Sequence, residues 1–236
     1  MTEPHYDVTG SGPVLLVVPG GAGHPMGLGP VTERLAERFT VVMYDPLGLA
    51  HGRLGSPVAD QWPADWSEGA HAVLEEVLAA DESAYVLGTS SGGIAVLDLL
   101  ARHPGRLRHV VAHEPPCVTL LPDGTEQRAR LIEGLRAGQA SAEGPMAVFL
   151  AHVLEPFTSY APAFTASPGR LTVAAGTGSR GHVLYEAAVS VAERTGGAFT
   201  EFPGGHLGAL EHPEAFADRV AETLIPADAP GAPLTT

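Results

Sequence analysis

Gly88-Thr89-Ser90-Ser91-Gly92 is the stretch whose reading decides the fold. An apolar run of strand character, 84–87, leads straight into it, and an apolar-periodic segment, 93–101, follows without a break. A G-x-S-x-G pattern carries meaning only in that order of strand, tight turn and helix. The demand is steric. A serine on a sharp strand-to-helix turn sits in a strained backbone conformation, and neighbours lacking a Cβ let strand and helix pass close together. Gly88, Gly92 and Gly93 supply that room. The helix that follows also brings its unpaired N–H groups beside the hydroxyl. Ser90 is therefore the candidate nucleophile. Ser91 is the rival, but centring the pattern on it puts Thr89 and Gly93 at the flanks and loses the first glycine.

Outward from this turn, strands and helices alternate. Val14 to Val18 is a continuous apolar run closed by Pro19-Gly20-Gly21, the mark of a strand buried on both faces. Helical spacing over 31–38 precedes a second buried strand, 39–44, which ends at Asp45-Pro46. A helix is predicted over 66–78, with Asp65 or Ser67 as its cap. After the Ser90 turn come a strand at 107–112, running into His113-Glu114-Pro115-Pro116, and later strands at 170–174 and 198–202. Helices are predicted at 183–194 and 213–224. Such alternation builds a mostly parallel sheet covered on both faces, an α/β fold. Two helices, 123–138 and 142–154, interrupt it. They follow the strand downstream of the turn, so 118–168 is expected to form a small helical lid over the carboxyl ends of the strands. The core is assigned to 1–117 and 169–226, and the Pro- and Ala-rich segment 227–236 is expected to be disordered.

Composition narrows the function. With 236 residues, 44% hydrophobic and 17% charged, the chain suits one globular domain. A formal charge of −14 argues against nucleic acid or an anionic membrane surface as partner. All 13 basic residues are arginine, a composition like that of a GC-rich bacterial genome. A single cysteine, Cys117, excludes an intrachain disulfide and reads as a buried filler. A polar N-terminus without an apolar signal core, and the lack of any run of membrane-spanning length, make a cytoplasmic location the expectation. The histidines are scattered and form no cluster with carboxylates at ligand spacing, so neither metal nor other cofactor is expected. Gly20, Gly21 and Gly23 lack both the G-x-G-x-x-G order and the following lysine of a phosphate-cradling loop.

Taken together, these segments resemble the α/β-hydrolase fold family over nearly the whole chain. Residues 6–21 are similar to its opening hairpin and oxyanion strand, Tyr44-Asp45-Pro46-Leu47-Gly48 to its D-x-x-G segment, and 88–92 to its nucleophile elbow. Phe202-Pro203-Gly204-Gly205-His206, followed by Glu211-His212-Pro213-Glu214, resembles its histidine loop and closing helix. The resemblance implies a mostly parallel sheet with helices on both faces, a lid, and a serine nucleophile. Serine needs a base within hydrogen-bond reach, and His206 fits by its place after the last strand on a flexible Gly204-Gly205 lead. His212, beside a helix start, is the competitor and reads as structural.

The acid departs from the commonest family pattern, an aspartate just after the penultimate strand. Here 174–180 holds no carboxylate until Glu186, inside the next helix. A histidine without an orienting acceptor loses tautomer control. Some α/β-hydrolases, including haloalkane dehalogenases and a lactone-cleaving branch, place their acid one strand after the elbow, and Glu114 stands there. Asp45 is the fallback. By resemblance the oxyanion donors are the backbone N–H groups of Ser91 and Gly21, although Pro19 replaces the histidine often found before them. His24 is placed at the pocket lip, and strand alternation turns His113 away from Glu114.

The expected function is a metal-free serine hydrolase, esterase- or lactonase-like, cleaving a small, rather apolar ester, lactone or thioester as a monomer or homodimer. Carbon–carbon bond hydrolysis uses the same residues. A biosynthetic lyase or cyclase shares the fold, and the missing aspartate is the feature that favours a catalytically impaired ligand-binding protein.

Overall fold

The short apolar runs become strands in a computed structural model that describes residues 4–139, 141–167 and 169–225. They are β1 (Tyr6–Gly10), β2 (Val14–Val18), β3 (Thr40–Tyr44), β4 (Ala84–Thr89), β5 (Leu107–His113), β6 (Leu171–Gly176) and β7 (Ala198–Phe202). They form a seven-stranded sheet in the order β1-β3-β2-β4-β5-β6-β7. β1 runs antiparallel to β3, with Tyr6 opposite Tyr44. The other pairings are parallel. The expected opening hairpin is therefore corrected: β1 and β2 are consecutive but both pair with β3.

Runs apolar at every position belong to strands covered on both sides, and the side chains divide by alternation. Leu16, Val18, Val86, Val110, Ala112 and Val173 face one core, with α2 (Pro63–Val77), α3 (Ser91–Arg102) and α7 (Val183–Thr195). Leu15, Val17, Leu87, Val111 and Ala174 face the other, with α1 (Gly29–Ala36) and α9 (Pro213–Leu224). Trp66 and Phe216, one on each side, are fully buried. Truncating either to alanine costs about 3–5 kcal/mol.

Between β5 and β6 lie α4 (Gly124–Gly138), α5 (Gly144–Val148) and α6 (Leu154–Thr158), the last two joined by a π-helical turn, Phe149–Val153. The helix expected to end at residue 154 thus continues, with a break, to Thr158. Pro156 explains the break, because it has no N–H to offer the carbonyl of His152. That carbonyl instead accepts the Gln61 N–H at 2.8 Å. α6 then packs on α2 through Trp66 and Phe157, ring centroids 4.6 Å apart. α2 itself begins earlier than its periodicity suggests. Pro63 opens it, and Asp65 acts from inside the first turn, its carboxylate accepting the Trp62 N–H at 2.8 Å. The segment 227–236, expected to be disordered, lies outside the described residues.

Candidate active site

The parallel strands end together, and the chain reverses direction across the sheet between β2 and β4, where ligands bind in open α/β sheets. Five loops meet there. Gly20-Gly21 follows β2, Ser90 follows β4, Glu114 follows β5, Gly176 to Ser179 closes β6, and His206 follows β7.

Ser90 occupies the turn between β4 and α3 with φ 54° and ψ −121°. Its N–H donates to the His113 carbonyl at 2.9 Å. Such a conformation costs about 1–3 kcal/mol and persists only where the surroundings enforce it. The surroundings are backbone. A Cβ on Gly88 would lie 2.4 Å from the Gly92 carbonyl oxygen, and one on Gly92 would lie 2.0 Å from that of Val18. α3 begins at Ser91 rather than at residue 93, so the Ser91 N–H is the first of the helix's unpaired donors.

His206 stands on the turn after β7, reached through Gly204 at φ 79°. Its Nε2 lies 3.1 Å from Ser90 Oγ, and its Nδ1 lies 2.8 Å from Glu114 Oε2. The imidazole keeps about a third of its surface open to solvent, whereas Glu114 has none. Glu114 has φ 43°, and it and Ser90 are two of the three described non-glycine residues with positive φ. Its other oxygen accepts the Gly176 N–H at 2.8 Å. Burial pushes this carboxyl up, but hydrogen bonds from His206, Gly176 and Ser179 outweigh burial and hold it at about 2. It is therefore ionised at neutral pH. A histidine hydrogen-bonded through Nδ1–H to a buried carboxylate presents Nε2 as an acceptor toward a hydroxyl.

The structure thus brings Ser90, His206 and Glu114 into one line, with the Ser91 N–H at the start of α3 next to Ser90 and the Gly20 backbone packed against the Ser90 side chain. The other candidates lie elsewhere. Asp45 is fully buried but spends its oxygens on the Leu49 and Ala50 N–H groups and on His51 Nδ1, fixing the turn after β3. His113 lies on the opposite side of the sheet, edge-on to Phe216, and burial pushes it down to about 4. His212 caps α9. Cys117 is buried, which pushes its thiol up. His24 is half-buried, with Nδ1 shielded from solvent and unpartnered among the described residues.

Several supporting groups escape a reading of the sequence. Gly176 and Ser179 belong to the segment without a carboxylate. That segment supplies hydrogen bonds to Glu114 instead of an acid. Glu211 Oε2 accepts the Gly205 N–H at 3.0 Å, immediately before His206. Thr89 Oγ1 accepts the Gly20 N–H, and Ser91 Oγ donates to the Gly21 carbonyl. The one available signal is the clustering of hydroxyl residues around Ser90. The Thr89 and Ser91 contacts themselves join segments 69 and 70 residues apart.

Comparison with known proteins bears on the fold and the class of protein. No family model matches the chain. An uncharacterised hydrolase of Bacillus subtilis, YraK, is 30% identical, the match covering 93% of this chain and 92% of that one. Among solved structures, the enol-lactonase of Burkholderia xenovorans superposes with a TM-score of 0.63 at 16% identity, covering 94% of this chain and 96% of the other. The esterase RhEst1 of a Rhodococcus species gives 0.61 at 21% identity, with 93% of each chain covered. The chain belongs to the α/β-hydrolase fold family and is an enzyme of the hydrolase type.

Proposed function

We propose that the protein is a serine hydrolase that cleaves an ester, lactone or thioester through an acyl-enzyme. The observation that carries this reading is the unbroken line from Ser90 Oγ through His206 to the buried carboxylate of Glu114. In the proposed cycle His206 Nε2 takes the Ser90 proton as Oγ attacks the carbonyl carbon. The carbonyl π electrons move onto oxygen, where the Ser91 and Gly21 N–H groups receive the charge. Collapse expels the alkoxide or thiolate, which takes the proton from His206. Water then repeats the sequence on the acyl-serine, releasing the acid and restoring the hydroxyl. Glu114 remains ionised throughout, holding the tautomer and stabilising the imidazolium.

A small, rather apolar substrate is proposed, with residues 118–168 as the lid over its pocket, anchored to the core through α6, where Phe157 packs on Trp66. The esterase and the lactonase among the structural relatives share the fold and leave the choice of carbonyl open. The ligand-binding alternative drew on the missing acid after β6; Glu114 Oε2, 2.8 Å from His206 Nδ1, supports the enzyme reading instead.

The test is pre-steady-state. Mixed with 4-nitrophenyl butanoate, the protein should release a burst of 4-nitrophenol equal to its own concentration. Parallel assays with lactones and thioesters would rank the carbonyl classes. Folded protein that turns over no member of the three classes would overturn the proposal.

A further inference from the structure

An amide that receives a developing negative charge must already be aimed when the charge appears. The Gly20–Gly21 peptide, which carries the Gly21 N–H, lies in a loop with Gly21 at φ 60°. What aims it is a set of three hydrogen bonds. On the near side, Thr89 Oγ1 accepts the Gly20 N–H at 3.1 Å, fixing the preceding peptide unit. On the far side, Ser91 Oγ donates to the Gly21 carbonyl at 2.7 Å, fixing the following unit. The middle peptide has its own carbonyl held by the Gly23 N–H at 3.0 Å. A trans peptide points its N–H away from its C=O. The Gly21 N–H is therefore held opposite the Gly23 contact, and it donates no hydrogen bond among the described residues.

Both side-chain clamps come from the residues on either side of Ser90. The elbow thus carries the nucleophile and also grips the loop that must meet the oxyanion. The loop rests directly on the nucleophile, since a Cβ on Gly20 would lie 2.8 Å from Ser90 Cβ. Pro19 has no N–H and no hydrogen-bonding side chain with which to support the loop itself. The geometry points to Thr89 and Ser91, through their hydroxyls, as positioning residues for the Gly21 donor, an assignment that rests on Ser90 being the nucleophile.

Ser91→Ala removes one clamp and Thr89→Val the other, while Thr89→Ser keeps the hydroxyl acceptor. The readouts are kcat and KM for 4-nitrophenyl butanoate, and the Ki of a butyl trifluoromethyl ketone, whose serine adduct carries an oxyanion. Each clamp-removing variant should lose about 10- to 100-fold in kcat, less than the ~10²–10³ of deleting a donor outright. KM should stay within about twofold, because the interaction belongs to the transition state. The Ki should rise in step with the fall in kcat, and Thr89→Ser should recover most of it. A purely structural role would lower thermal stability without changing the ratio of Ki to KM. Folded Ser91→Ala and Thr89→Val proteins with wild-type kcat and Ki, alongside an inactive Ser90→Ala, would overturn this inference alone. Wild-type protein without Ser90-dependent turnover would overturn both readings.

Discussion

Replacing Glu114 by glutamine changes one atom of a fully buried side chain and tests the hydrogen-bond line most sharply. The carboxylate accepts two N–H groups at 2.8 Å, from Gly176 and from His206 Nδ1. A glutamine can accept one of them, and it then turns its NH₂ toward the other. If the Gly176 bond is kept, Nδ1 faces a donor and must become the acceptor, which puts the imidazole proton on Nε2. Nε2 can then no longer take the Ser90 proton. The equivalent change in the Ser-His-Asp template lowers kcat by about 10⁴, or about 5 kcal/mol of barrier. Stability should also fall. The carboxyl is held at about 2, and against a free value near ~4.3 this corresponds to about 3 kcal/mol at neutral pH. Because the folded value lies below the unfolded one, that contribution is complete above about pH 4.3 and is lost as pH falls through about 2. The assay is steady-state ester hydrolysis at pH 7.5 beside urea denaturation of both proteins. A Glu114→Gln protein that folds and keeps kcat within about tenfold of wild type would refute the orienting role.

Other perturbations follow from the same contacts. His113 titrates at about 4 because it is buried, against ~6.5 for a free histidine, so stability should be complete above about pH 6.5 and fall by about 3 kcal/mol as pH drops through about 4. His113→Leu should flatten that limb of the urea-midpoint profile, and identical slopes would contradict the assignment. Gly92→Ala puts a Cβ 2.0 Å from the Val18 carbonyl oxygen, an overlap costing about 3 kcal/mol or more and roughly 10 °C in Tm. An unchanged melting curve would mean that β2 and α3 do not pack as described. Glu211→Ala removes the acceptor of the Gly205 N–H and should slow turnover about tenfold, with Glu211→Gln close to wild type. Equal activity in both variants would show that the His206 turn holds itself.

The inner strands are legible in the sequence because both of their faces are buried, which leaves runs such as Val14–Val18 without a polar residue. Ser90 is legible because strand, glycines and helix are contiguous. Glu114 is harder, since the usual acid position is empty and only its place at the end of β5 marks it. The departures have local causes. Tyr6–Gly10 precedes Val14–Val18 after a short turn, as in a hairpin, and the pairing of both with β3 leaves no trace in spacing. The extension past residue 154 is masked by Pro156, which reads as a stop until Gln61 is seen to take the carbonyl it frees. Thr89, Ser91 and Ser179 are small polar residues whose roles depend on partners brought close only by folding, and Glu211 is an ordinary glutamate until its bond to Gly205, six residues back, is seen.

The catalytic reading is tested most directly by a fluorophosphonate, which phosphonylates only a serine that has an activated hydroxyl. The account predicts one label per chain, mapped by peptide mass spectrometry to Ser90, absent in Ser90→Ala and far slower in His206→Ala. Folded wild-type protein that stays unlabelled, or a label that maps elsewhere, would contradict it.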